Sequence, residues 1–161
     1  MTLAYVGIGS NLEDPRRQVE SALGELAQLP GTRLLKKSSL FRSAPVGYRD
    51  QPEFVNAVAA LETSLQAADL FRELQAVEAR HGRKRRFPNA PRTLDLDLLL
   101  YGDGESVSGA PGLVLPHPRM HDRAFVLKPL LEIEPGISIP GRGAASDLLK
   151  KCEPQSVERI A

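Results

Sequence analysis

From Leu3 to Tyr101 the apolar residues alternate between short strand-like runs and helical spacing, and the order of those segments admits few folds. Leu3 to Ile8 is a brief apolar run closing in Gly7 and Gly9, which predicts a buried strand. Ser10 to Pro15 reads as a turn, with Asp14 placed to cap a helix and Pro15 at its first position. Val19, Ala22, Leu23 and Leu26 then recur at helical spacing, which predicts an amphipathic helix over about 15–28, stopped by Pro30-Gly31. Thr32 to Phe41 reads as one strand and Phe54 to Leu61 as the next, joined by a long loop with two prolines and a glycine. Ser64 or Asp69 opens a second helix, whose apolar face is Leu70, Phe71, Leu74 and Val77 and which ends near Arg80. Leu94 to Tyr101 is the last strand of the set. The order is β-α-β-β-α-β. The expected class is α+β with a ferredoxin-like core: an antiparallel sheet with helices packed on one face. A helical segment over Ala124–Ile133, interrupted by Pro129, and a small helix near Ser146–Lys151 are C-terminal additions. With no repeat and no linker, residues 1–161 read as a single domain.

Composition narrows the setting. A lone cysteine, Cys152, excludes an internal disulfide and a cysteine-based metal site. No apolar run reaches the ~20 residues needed to span a bilayer, and MTLAYVGIGSN lacks the basic region of a secretory leader. The expectation is a cytoplasmic protein without membrane contact, most simply a monomer. Net charge is +1, so nothing global points to nucleic acid. Locally the charge is uneven. From Arg80 to Arg92 there are six cations (Arg80, Arg83, Lys84, Arg85, Arg86, Arg92) and no acid, and Asp95 and Asp97 follow at once.

That acidic pair is the first chemical signal. Alternate strand residues share a face, so Leu94, Leu96, Leu98 and Leu100 point one way and Asp95 and Asp97 the other, with Cα atoms ~6.5–7 Å apart. Two like charges on one face repel, and a hard dication would relieve them; Mg2+ is commonly held by one or two carboxylates plus substrate phosphates. Taken alone, the pattern fits a solvated strand face better. The cations leading into the strand shift the balance toward phosphoryl transfer, which needs charge neutralised around the phosphates. Arginine suits that task through its fork of donors. The plainer reading of the run RKRR is a solvated loop or a nucleic-acid patch.

Other motifs carry less. His117 and His121 have zinc-like spacing, but Pro118 keeps His117 out of helical geometry and no HExxH acid is present. A phosphate contact by His117 with Arg123 nearby competes with a plain surface histidine. Gly7-Ile8-Gly9-Ser10-Asn11-Leu12 begins like a dinucleotide fingerprint, yet Leu12 stands at the third glycine position. No Walker-type loop occurs.

Ala90-Pro91-Arg92-Thr93-Leu94-Asp95-Leu96-Asp97-Leu98-Leu99 closely resembles the signature of the 6-hydroxymethyl-7,8-dihydropterin pyrophosphokinase family of folate biosynthesis. Further matches occur in the same order: Ile8-Gly9-Ser10-Asn11-Leu12, Asp50 to Asn56, Pro116-His117-Pro118, and Arg123-Ala124-Phe125. The resemblance implies a ferredoxin-like fold and transfer of diphosphate from ATP to the pterin hydroxymethyl group, with release of AMP. It implies two Mg2+ ions held by Asp95 and Asp97, with Asp97 helping to take the alcohol proton. Arg83 and Arg92 resemble the catalytic loop arginines, and Arg85 a further basic position. Gln75, Glu78, Arg92, His117, Arg123 and backbone near Leu98 resemble ATP contacts. For the pterin, Phe54 and Phe125 resemble an aromatic sandwich and Asn56 the amide that reads the ring's edge. Ser43, Pro45, Val46 and Asp95 complete that set. The loops at about 43–53 and 82–92 correspond to the family's mobile lids. The chain lacks tryptophan, so Phe87 stands in for an aromatic anchor of the arginine loop in some members, a loop that is also one residue shorter here. Pro118 replaces a tyrosine of certain members, and Gly112 and Val114 replace basic and hydroxylated residues near the nucleotide.

Two other readings use the same residues. An RNA-binding ferredoxin-like module could use the basic loop, although the aromatic RNP1 pattern is absent. A metal-dependent nuclease could be built on Asp95 and Asp97 alone.

Overall fold

The computed structural model describes residues 1–45, 50–82, 93–103, 110–152 and 154–160. Strand β1 (Thr2–Ser10) leads to helix α1 (Pro15–Leu26), β2 (Thr32–Lys37), β3 (Phe41–Ser43), β4 (Phe54–Thr63), α2 (Ala67–Arg80) and β5 (Asp95–Tyr101). Helix α3 (Ala124–Ile133), β6 (Ser138–Ile139), β7 (Gly143–Ala144), α4 (Ala145–Lys150) and β8 (Val157–Arg159) follow. The main sheet runs β5-β1-β4-β3-β8, with β2 also paired to β4. Both of β1's neighbours, β4 and β5, are antiparallel to it. With β2 and β3 read as one divided strand, this is the ferredoxin-like arrangement that the sequence predicts.

The expected single strand from Thr32 to Phe41 is divided because Ser38 takes over part of the ladder. Its backbone N–H donates to the Val58 carbonyl at 2.9 Å, while its hydroxyl accepts the Val58 N–H at 2.9 Å. Asp14 does precede α1, but in a left-handed conformation (φ 61°) and without a side-chain cap. Neither Ser64 nor Asp69 opens α2, which starts at Ala67 behind Gln66. Ser64 is spent on the β2 side, where its N–H and hydroxyl both donate to the Gly31 carbonyl, at 2.9 and 3.2 Å.

One face of the sheet presents Ala4, Val6, Ile8, Ala57, Ala59 and Leu61 to α1 and α2, where Val19, Leu23, Leu26, Leu70, Leu74 and Val77 close the core. The helices do not stop at that face. On the other face Tyr5, Phe41, Val58, Ala60, Leu99 and Leu100 pack beneath α3 and α4, against Leu127, Leu130 and Leu148. The expectation of helices on one face, made for the β-α-β-β-α-β core, holds for α1 and α2, and the C-terminal additions α3 and α4 cover the other face. Pro129 does not interrupt α3, which is continuous from Ala124 to Ile133. An interior proline costs a helix about 3 kcal/mol, and the buried Val126, Leu127, Leu130 and Ile133 offset that through packing.

Leu100 departs from its expected face. The β1–β5 register shifts between Tyr5 and Val6, so Val6 pairs with Leu98 and Tyr5 with Leu100. Leu99 is the extra residue of a bulge, which turns Leu100 away from Leu96 and Leu98 and into the core under α3.

Candidate functional site

The pairing register builds the site floor in cross-strand rows. Gly9 of β1 lies between Asn56 of β4 and Asp95 of β5; Gly7 lies between Val58 and Asp97. Residues directly opposite share a face, so both aspartates, Asn56 and the two glycines lie on the α3 side of the sheet. A Cβ added at Gly9 would stand 3.1 Å from Asn56 Nδ2. The missing side chains keep the floor open.

Above this floor lies a cleft of about 450 Å3. Its lining includes Gly7, Gly9, Ser43, Ala44, Phe54, Asn56, Asp95, Asp97, Arg119, Asp122, Arg123, Phe125 and Gln155. Phe54 belongs to β4 and Phe125 to α3, so the two rings reach the cleft from separate elements. Asn56 is buried, and its orientation is set by β3: the Ser43 hydroxyl donates to Asn56 Oδ1 at 2.5 Å. Its carbonyl oxygen is thus engaged, and the Nδ2 donors lie toward Gly9 and the cleft.

Arg123 and His117 approach the acidic pair from the α3 side. Arg123 Nη1 stands 3.9 Å from Asp97 Oδ2, and its guanidinium lies 5.4 Å from the Phe125 ring centroid. His117 Nε2 lies 3.8 Å from Asp97 Oδ1. Burial, and then the Arg123 guanidinium, pull the His117 pKa down to about 4. The neutral ring accepts the Arg119 N–H at Nδ1 (3.1 Å), which leaves the proton on Nε2, facing Asp97. His117 is held in place by its own backbone N–H, which donates to the Leu99 carbonyl at 2.9 Å.

Asp95 and Asp97 are the described residues best suited to a divalent cation. Among the described residues no cluster of three or more His, Cys, Asp or Glu forms a protein cage for a metal. Mg2+ does not require one, since one or two carboxylates suffice when phosphates and water complete the shell.

The remaining predicted site residues are distributed as follows. The Leu98 side chain is buried in the core of α1 and α2, so only its backbone is open to a ligand role. Glu78 is also buried, and its Oε2 accepts the Leu96 N–H at 2.8 Å, securing β5. Gln75 is exposed on α2. Pro45 is half-buried, and its neighbour Ala44, not Pro45, lines the cleft. Val46, Arg83, Arg85, Arg92 and Phe87 lie outside the described residues. The sequence reading missed Gly7 and Gly9 as floor residues, together with Arg119, Asp122 and Gln155. Pairing Gly7-x-Gly9 against Asp95-x-Asp97 would have found the glycines.

Comparison with known proteins brings these features together. The family model described as 7,8-dihydro-6-hydroxymethylpterin-pyrophosphokinase (HPPK) matches residues 5–135. A Pseudomonas aeruginosa protein named 2-amino-4-hydroxy-6-hydroxymethyldihydropteridine pyrophosphokinase is 46% identical over 156 residues, covering 97% of this chain and 95% of its own. A Haemophilus influenzae protein of the same name is 42% identical over 151 residues, covering 94% and 93%. Among solved structures, wild-type Plasmodium falciparum HPPK-DHPS with SDX-DHP superposes with a TM-score of 0.70 at 11% identity. It covers 94% of this chain, which spans 43% of that longer one, and it supports the fold alone.

Proposed function

Because the chain belongs to the 7,8-dihydro-6-hydroxymethylpterin-pyrophosphokinase family, we propose that it transfers the terminal diphosphate of ATP to the hydroxymethyl oxygen of 6-hydroxymethyl-7,8-dihydropterin and releases AMP. The observation that carries this reading is the pair of cross-sheet rows. They set two carboxylates and a donor-presenting amide around glycines, in a cleft lined by Phe54 and Phe125. Family membership favours it over the RNA-binding module. Among the described residues no helix is long and apolar enough to cross a membrane, and we place the enzyme in the cytoplasm.

Phe54 and Phe125 take the flat ring between them, where stacking adds to burial of apolar area. Asn56, held by Ser43, donates from Nδ2 to the polar edge of the ring, and the backbone at Ser43, Pro45 and Val46 completes the edge contacts. Asp95 and Asp97 would hold two Mg2+ ions, which would supply charge neutralisation at the phosphates and a lowered pKa for the substrate alcohol. The alcohol oxygen attacks the β-phosphorus in line, the bond from that phosphorus to the α,β-bridging oxygen breaks, and AMP departs with that oxygen. The alcohol proton passes to Asp97 or to water. His117 and Arg123 direct donors at the triphosphate, while Arg83, Arg85 and Arg92 balance the charge that develops between the α- and β-phosphates. Gln75, Glu78 and the backbone at Leu98 receive the nucleoside along the outer edge of β5.

ATP labelled with 32P at the β position tests the route of transfer. The label is expected in the pterin product, with unlabelled AMP released. Labelled ADP would mean attack at the γ-phosphorus, and labelled inorganic pyrophosphate would mean attack at the α-phosphorus. Gly9→Ala tests the floor. Its Cβ would press on Asn56 Nδ2, and a cost of about 1.4 kcal/mol is a tenfold rise in the pterin KM. Steady-state kinetics should find the ATP KM nearly unchanged.

A further inference from the structure

We infer that the C-terminal segment sets the width of the pterin cleft, with Gln155 as a positioning residue for the wall that carries Arg123 and Phe125. The inference rests on the pterin reading above. Gln155 lies twenty residues beyond the end of the family match at residue 135 and still lines the cleft. Its Oε1 accepts the Ala124 N–H at 2.9 Å, and its Nε2 donates to the Asp122 carbonyl at 2.8 Å.

Ala124 is the first residue of α3, and the first N–H groups of a helix lack intrahelical acceptors. Arg123, at the N-cap position, supplies no side-chain cap. Gln155 supplies one from the far end of the chain, so the start of α3 is fixed by a residue outside the helix. The same segment is tied to the opposite wall. Val157 of β8 pairs with Ser43 of β3, the residue that orients Asn56. Lys128 of α3 donates to the Val157 carbonyl at 2.7 Å. Gln155 to Val157 is therefore a short strap between the phenylalanine on α3 and the amide on β4.

Each polar end of Gln155 is engaged within the protein, on the wall that carries Arg123 and Phe125. It is exposed, and its bonds compete with water; its effect is local and largely separate from global stability.

Kinetics on the full chain test this. Gln155→Met keeps the length and removes both hydrogen bonds. The pterin KM is expected to rise about fivefold, with the ATP KM and the saturated kcat within about twofold of wild type. Gln155→Glu keeps the acceptor for Ala124 and should fall between the two, at least twofold above wild type. A thermal melt establishes that each variant is folded. If Gln155→Met does not fold, Gln155→Glu carries the test, and a wild-type pterin KM in it overturns the inference. A wild-type pterin KM in folded Gln155→Met also overturns it. So does a parallel shift of pterin KM, ATP KM and kcat, which marks general loosening. Absence of pterin-dependent AMP release from the wild type defeats the pterin reading itself, and this inference with it.

Discussion

Asp97→Ala is expected to lower turnover by roughly three orders of magnitude, a barrier increase of about 4 kcal/mol, while the thermal midpoint moves little. The carboxylate stands in a row with Gly7 and Val58, on a face where Asp95 already supplies a like charge. Among the described residues, Arg123 Nη1 stands 3.9 Å from it, at the long end of ion-pair distances, and Nε2 of the neutral His117 ring lies 3.8 Å away. Removing the carboxylate relieves the like-charge repulsion with Asp95 and takes away half of the acidic pair. Steady-state turnover and a circular-dichroism melt on the same preparation separate the two effects. Substantial Mg2+-dependent activity in a folded variant would remove Asp97 from the metal role.

Asn56→Ala should lower kcat/KM for the pterin about a hundredfold, near 2.7 kcal/mol, and should also destabilise the fold. The amide supplies the only described side-chain N–H donors placed in the row beside Gly9 and Asp95. Its loss also strands the buried Ser43 hydroxyl, which now donates to Asn56 Oδ1; an unsatisfied buried group costs about 1–3 kcal/mol. Ser43→Ala separates the contributions. It frees the amide without deleting it, and a smaller rise in pterin KM is expected. Equal losses in the two variants would show that orientation by Ser43 accounts for the whole effect.

Much of this was legible in the sequence because local period and burial agree. The alternation Leu94-Asp95-Leu96-Asp97 is the pattern of a strand with one buried face, and the register carries it through as far as Leu98. It fails at Leu100 because a bulge depends on how two strands pair, which a one-strand pattern does not contain. Gly7 and Gly9 went unread for the same reason: their meaning lies in what stands opposite them. Which face α3 covers was not legible, because its apolar residues do not say on which side of the sheet they pack. Gln155 had no local signal at all, since a cap supplied from 31 residues away is set by tertiary contact alone.

The most direct measurement is AMP release from ATP and Mg2+, followed with and without 6-hydroxymethyl-7,8-dihydropterin. AMP should appear in step with pterin consumed and fall to background when the pterin is withheld. AMP at the same rate in both, or none in either, would contradict the assignment of this cleft to diphosphate transfer.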